Sequence, residues 1–332
     1  MSVSMIPPAG APDFLTQAGW GGAEIAPLAV DASFRRYFRI VDGARRAVLM
    51  DAPPPHEDPQ PYIEVAEYLS GIGLSAPQIF HRDLAQGLLL IEDFGSERMR
   101  ETVDADGALE TAIYEGVVDV LIELHRHAPP ATLKLHGLET WLDEVALFTE
   151  WYCPTVGLTV DTQGFRDAWR AVLSPIDAQG QTVTELRDYH AENIMLIGGR
   201  GGISRFGLLD FQDALVGHPA YDLVSMLEDA RRDVPPTVER AMLDHYKTAT
   251  GQGDDFEVAY WALGAQRNTR ILGVFCRLWK RDGKPHFTEF QPRMWGLLER
   301  DLAQPGLGPV SDWFDRNVPA EKRTPFWLNL PL

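Results

Sequence analysis

The stretch LRDYHAENIMLIGGRGGISRFGLLDF, residues 186–211, decides how the chain is read. Asp188, His190, Glu192 and Asn193 fall within six positions, with apolar residues on both sides. NIMLI is a short apolar run, GGRGG a turn, and ISRFGLLDF a second apolar run. The expected result is a hairpin with an acidic loop before it and Asp210 at its far end. Such a hairpin brings Asn193 and Asp210 close together. Taken alone, either half reads equally well as an acidic surface turn.

The chemistry of the cluster narrows by exclusion. His190-x-Glu192 is half of a zinc deaminase signature, but the PCxxC pair that supplies the other ligands is absent. HExxH, GxSxG, Walker A and the Rossmann glycine fingerprint are absent too. What remains is R-D-x-x-x-x-N, a hairpin, then D-F, a spacing similar to the catalytic segment of protein-kinase-like phosphotransferases. Phosphoryl transfer needs a carboxylate to orient the acceptor hydroxyl and take its proton. It also needs hard oxygen ligands for the magnesium that bridges the nucleotide phosphates. Asp188 suits the first task, and Asn193 with Asp210 the second.

Upstream, IAPLAVD, YFRIV and RRAVLMDA read as strands, and Asp42-Gly43 between the last two is a hairpin signal. YIEVAEYLSGIG has helical spacing, and QIFHRD and GLLLIEDFG read as two further strands. After Gly95 the pattern turns helical: residues 108–127, 139–152 and 162–173 before the hairpin, and most of the chain to about residue 300 after it. The expected class is α+β and bilobal. A small mixed nucleotide-binding lobe spans 1–95; a larger, mostly helical catalytic and substrate-binding lobe spans 96–332.

Composition sets outer limits. The 332 residues carry a net charge of -18, which argues against nonspecific nucleic-acid binding. Two distant cysteines, Cys153 and Cys276, suit a reducing compartment. The start MSVSMIPPAGAPDFL has no secretory pattern and no apolar run is of membrane-spanning length. A cytoplasmic monomer is expected, with no membrane and no nucleic-acid partner.

In these segments the chain resembles the aminoglycoside-phosphotransferase-like kinases over roughly residues 20–300. DASFRRYFR, VLMDAPP, LRDYHAENIML, LLDFQDALVGHPAYDLVSML and AQRNTRILGVFCRLWKRDGKP, in that order, are most similar to the amino-sugar 1-kinases of cell-wall recycling within that family. The resemblance implies the protein-kinase-like fold, ATP and Mg2+ as cofactors, and a small amino sugar as substrate. It implies phosphorylation of the 1-hydroxyl of N-acetylmuramate and N-acetylglucosamine to α-1-phosphates. Asp188 would be the catalytic base, and Asn193 and Asp210 the metal ligands. The turn at 31–36 stands where kinases have a glycine-rich loop, with Ser33, Arg35 and Arg36 as phosphate-binding groups. Glu64 matches the acidic residue that usually orients a phosphate-binding lysine. Glu92 and Asp93 fall at the hinge, where backbone groups would meet adenine.

Two positions depart from the family pattern. Leu186 replaces a histidine two residues before the base. Met50 stands where the lysine belongs, so either a loop arginine replaces that lysine or the chain is a nonenzymatic ATP-binding regulator. Other small-molecule kinases, of aminoglycosides or choline, are the nearest catalytic alternative; no APE segment follows Asp210, which disfavours a protein kinase.

By analogy Asp222 would be a buried carboxylate bracing the catalytic loop. Asp213 is open between the metal and its surroundings. His190 is open between facing the sugar and bonding backbone, and His125 reads as a packed residue. On the helix expected at 255–281, Arg267 falls on the apolar stripe of Phe256, Tyr260, Leu263, Ile271, Val274 and Leu278. A buried arginine must meet a carboxylate or line an anion cavity. With Asn268 and Arg270 beside it, a substrate pocket is one reading, with the lactyl carboxylate of N-acetylmuramate as partner. A structural ion pair is the other. Trp261, Trp279 and Trp295 are open between stacking on sugar faces and core packing, with core as the default.

Overall fold

The computed structural model describes residues 6–30 and 34–323. The chain divides into two compact units, 1–120 with 192–214, and 121–191 with 215–332. The lobe boundary expected at 95/96 falls inside the first unit.

In the first unit, α1 (Ala11–Gln17) is followed by β1 (Glu24–Val30), β2 (Arg36–Asp42) and β3 (Arg45–Asp51). Then come α2 (Gln60–Gly71), β4 (Ile79–Asp83), β5 (Leu88–Glu92), α3 (Met99–Ala105) and α4 (Glu110–Leu124), whose last turn from Leu121 is assigned to the second unit. The five strands form one antiparallel sheet in the order β1-β2-β3-β5-β4. Asp42 pairs with Arg45, so the expected hairpin forms, with its two-residue turn at Gly43 and Ala44, one residue later than the Asp42-Gly43 signal. Gly43 has φ +59°, the conformation that hairpin needs at its first turn position. Every second residue of the inner strands, Phe38, Ile40, Ala47, Leu49, Leu88 and Leu90, buries against Phe14 and Leu15 of α1. Met50 and Leu89, paired in register, fall on the opposite face.

The stretch that opened the reading closes this unit as the expected hairpin. Ile194–Leu196 pairs antiparallel with Phe206–Leu208. The strands are shorter than the apolar runs: residues 203–205, expected as strand, belong to the 3-10 turn Gly202–Arg205, tied by Ser204 Oγ donating to the Gly201 carbonyl at 2.7 Å. The Leu208 N–H donates to the Ser75 carbonyl at 2.8 Å and the Leu196 N–H to Glu97 at 2.8 Å.

The second unit is mainly helical: α5 (Leu138–Leu147), the single turn α6 (Cys153–Thr155), α7 (Thr162–Asp177), α8 (Ala220–Leu227), α9 (Pro236–Thr250), α10 (Asp254–Lys280), α11 (Gln291–Leu302), α12 (Gly308–Asn317) and α13 (Ala320–Arg323). Val183–Glu185 pairs with Leu215–Gly217. The 27-residue α10 is the spine of the unit. A Cβ at its Gly273 would sit 2.4 Å from the Leu147 carbonyl at the end of α5, so only glycine permits this crossing. Trp295 is core, as expected, donating to Tyr152 Oη at 2.8 Å. No helix among the described residues is long and apolar enough to cross a membrane.

Candidate active site

Asp188 lies in the second unit, on an irregular segment between the strand Val183–Glu185 and the unit boundary. Arg187, the residue before it, has φ +69°, a conformation that costs a non-glycine residue about 1–3 kcal/mol and persists only when its surroundings impose it. The surroundings do so from three sides. Asp222 of α8 accepts the Leu186 N–H at 2.6 Å through one oxygen and the Arg187 N–H at 2.8 Å through the other. Ser225, one turn along α8, donates to the Arg187 carbonyl at 3.1 Å. The Arg187 guanidinium pairs with Glu144 of α5. Asp222 is therefore the brace that its position suggested. Burial, helped by the Glu185 charge, pushes it up to about 8, while the two N–H bonds pull the other way.

Glu144 is the centre of a second layer. It accepts from His136 Nε2 at 3.2 Å and Gln266 Nε2 at 3.2 Å, and pairs with Arg270 at 3.4 Å. Burial would raise its carboxyl, but Arg270, His136 and Arg187 hold it down to about 2. The other nitrogen of His136 meets Glu185 at 2.7 Å. Burial disfavours a charged ring there, yet Glu185 and Glu144 outweigh it and raise His136 to about 9. A buried cation thus sits between two carboxylates beneath the Asp188 segment.

The remaining polar residues of the opening stretch separate. His190 is buried and receives Arg231 Nη1 at 3.1 Å; burial first, then Arg231, lower it to about 3, so the ring is neutral. Glu192, in the first unit, pairs with Arg100 of α3.

On α10, Arg267 and Arg270 are three residues apart and share a face, whereas Asn268 is turned about 100° away. The structure places them accordingly. Arg267 is 3% exposed and donates through Nη2 to Ser225 Oγ at 2.9 Å. Its Nε and Nη1 have no hydrogen-bond partner among the described residues and are covered from solvent. Asn268 instead joins a buried carboxylate cluster, donating to Glu228 at 2.6 Å and Asp301 at 2.9 Å. The three residues expected in one pocket are not brought together.

In the first unit the hairpin sets Asn193 across from Leu209, whose N–H donates to the Asn193 carbonyl at 3.0 Å. Asp210 follows with φ +59°. Arg187 and Asp210 are the non-glycine residues with positive φ among those described. Asp210 Oδ1 accepts Gln212 Nε2 at 2.9 Å and Arg35 Nη2 at 3.3 Å. Gln212 also reaches Asp213 at 3.1 Å. Tyr62 of α2 stacks on Phe211, ring centroids 4.9 Å apart, and its buried hydroxyl has no hydrogen-bond partner among the described residues.

The other expected nucleotide-side residues are engaged locally. Arg36 grips Asp51 at 2.8 and 2.5 Å. Glu64 accepts Gln60 Nε2 at 2.9 Å and pairs with no cation among the described residues, as the missing lysine requires. Glu92 pairs with Arg200 at 2.5 Å, and Asp93 takes Arg39 at 2.7 and 3.1 Å. Met50 is fully buried. Ser33 lies outside the described residues.

Asn193 and Asp210 offer an amide and a carboxylate oxygen, hard donors that suit magnesium. That ion is commonly held by one or two carboxylates plus substrate phosphates. No cluster of three or more His, Cys, Asp or Glu that could hold a metal unaided occurs among the described residues.

Residues 24–259 match the phosphotransferase enzyme family. The chain belongs to that family. This phosphotransferase is 37% identical to the N-acetylmuramate/N-acetylglucosamine kinase of Caulobacter vibrioides, over 93% of this chain and 96% of that one. It is 34% identical to the protein of the same name from Pseudomonas aeruginosa, over 88% and 89% of the two chains. Among solved structures, a choline/ethanolamine kinase family protein from Mesorhizobium loti superposes with a TM-score of 0.60 at 16% identity, covering 91% of this chain and 97% of that one. The streptomycin–ATP–APH(2")-IIa ternary complex does so with 0.60 at 14% identity, covering 92% and 99%. These likenesses give the phosphotransferase its kinase-like fold, an antiparallel sheet followed by a helical body. Sequence reading missed Glu144, His136 and Ser225 around the Asp188 segment, and Tyr62 against Phe211 in the first unit. Only Ser225 carried a signal, lying three residues after Asp222 and hence on the same helix face.

Proposed function

We propose that this phosphotransferase moves the γ-phosphoryl group of ATP to the anomeric hydroxyl of N-acetylmuramate and N-acetylglucosamine. The products are their α-1-phosphates, and the setting is cytoplasmic peptidoglycan recycling. The observation that carries this reading is the agreement of four relatives, 31–37% identical over 82–93% of the chain, all named N-acetylmuramate/N-acetylglucosamine kinase. The 1–95 segment would serve the nucleotide and 96–332 the chemistry and the sugar. Asp188 orients the hydroxyl and accepts its proton. In a loose transition state that proton leaves late, so orientation matters as much as basicity. The fixed backbone at Leu186 and Arg187 supplies that orientation. Asn193 and Asp210 hold magnesium, which when bound neutralises charge on the phosphates. Arg35 takes the role of the absent lysine, and His190 and Arg270 border the sugar.

Asp188→Asn keeps shape but removes the base. Turnover should fall by about 10²–10⁴-fold with ATP binding retained, measured by coupled assay beside nucleotide titration. Near-full turnover would sink the assignment. Met50 favours a second reading, a nonenzymatic nucleotide binder. It predicts nucleotide binding with no sugar phosphate formed by the unaltered protein.

A further inference from the structure

We propose that Arg277 sets the preference between the two acceptors: its guanidinium takes the lactyl carboxylate of N-acetylmuramate, a group that N-acetylglucosamine lacks. The inference rests on the reading of the chain as a kinase of these two sugars. Arg277 lies on α10, seven residues and about two turns after Arg270, so the two stand within about 20° of each other around the helix axis. Of residues 262–276, all of them described, Arg270 and Val274 are the two that are not buried. The same stripe continues through the half-buried Arg277 and Leu278 to the exposed Arg281. Cations thus recur along one line of an otherwise buried helix, with apolar side chains between them.

The three cations differ in what holds them. Arg270 pairs with Glu144 at 3.4 Å, and Arg281 donates to its neighbour Asp282 at 2.6 and 2.9 Å. Arg277 has no hydrogen bond and no ion pair among the described residues, and its Nε is covered from solvent. Burial first, then the Arg281 and Arg270 charges, lower its pKa, while Asp282 and Glu150 act the other way without bonding to it. Arg277 and Arg281 are also four residues apart, the spacing at which like charges destabilise a helix. A guanidinium so placed is unfavourable in the free protein, and a carboxylate relieves it by accepting two parallel N–H bonds. Helical side chains lean toward the N-terminus, which carries the head of Arg277 back toward Arg270. Arg270 in turn feels the charge of Asp188, and all three belong to the second unit. The lactyl ether leaves the sugar at C3, two carbons from the anomeric carbon. A sugar whose 1-hydroxyl meets Asp188 and whose ring borders Arg270 therefore holds its carboxylate away from the reacting atoms, on the Arg277 side.

The probes are N-acetylmuramate and its lactyl amide, which has the same shape without the charge, with N-acetylglucosamine beside them. Steady-state kinetics with ATP and magnesium are measured on the full chain. The unaltered protein should favour the acid over the amide roughly tenfold or more in kcat/KM, as hydrogen bonds to a charged group imply. Arg277→Gln should erase that preference through KM for the acid. Arg277→Lys keeps the charge without the planar fork, and should lose part of the preference, severalfold. An unaltered protein that treats acid and amide alike overturns the proposal, and so does a preference that survives Arg277→Gln. Equal loss on all three sugars in Arg277→Gln also overturns it, since that is what a merely structural arginine would give. If Arg277→Gln does not fold, Arg277→Lys decides, and an unchanged ratio of acid to amide overturns the proposal. Sugar phosphate formed from none of the three by the unaltered protein refutes the kinase reading itself, and the selection by Arg277 with it.

Discussion

Replacing His136 by Gln should destabilise the protein strongly near neutrality and far less in alkali. The ring is buried between Glu185 and Glu144, and its pKa stands at about 9 against 6.5 for the unperturbed group. A folded-state value above the unfolded one means that the protonated ring stabilises the fold. That contribution is fully present below about 6.5 and is lost as pH rises through about 9. Each pKa unit corresponds to about 1.4 kcal/mol, so linkage gives a difference of roughly 2–3 kcal/mol between pH 7 and pH 10. The substituted glutamine would fill the site without titrating. The assay is urea unfolding of both proteins at the two pH values. The destabilisation caused by His136→Gln should shrink by about that amount in alkali. An equal destabilisation at both values would refute a charged His136, and with it the account of how Glu144 holds Arg187.

Asp222→Ala leaves the buried N–H groups of Leu186 and Arg187 unpaired, at about 1–3 kcal/mol each; urea unfolding should show a loss of about 2–6 kcal/mol, and a loss below about 1 kcal/mol would contradict the bracing role. Arg267→Ala should lower turnover to the same degree on N-acetylmuramate and N-acetylglucosamine, because Arg267 acts through Ser225 on the Arg187 carbonyl. Steady-state kinetics on both sugars decide this, and selective loss on N-acetylmuramate would instead set Arg267 against the lactyl carboxylate.

The hairpin, its acidic approach and Asp210 were legible because glycines separate two apolar runs and because the D-x-x-x-x-N spacing is tied to one chemistry. The β2–β3 hairpin was legible for the same local reason, though its turn falls one residue later, at Gly43 and Ala44, and α10 was placed to within a residue by its stripe. Less could be read where contacts are distant in sequence. Glu144 lies 43 residues before Arg187, and nothing local marks it as the acceptor for four donors. The break-up of the Arg267, Asn268 and Arg270 group follows from helix rotation. That the 192–214 hairpin groups with the first 120 residues is a matter of long-range packing. Arg35 was expected to face phosphates from its position alone; its pairing with Asp210 spans most of the chain.

Phosphorus NMR of the product formed from ATP, magnesium and N-acetylmuramate labelled with carbon-13 at C1 tests the central claim most directly. The account predicts a sugar phosphate whose phosphorus couples to the labelled carbon, in the α configuration, with N-acetylglucosamine giving the same pattern. A phosphate on any other hydroxyl, or ATP consumed only with choline or an aminoglycoside as acceptor, would contradict it.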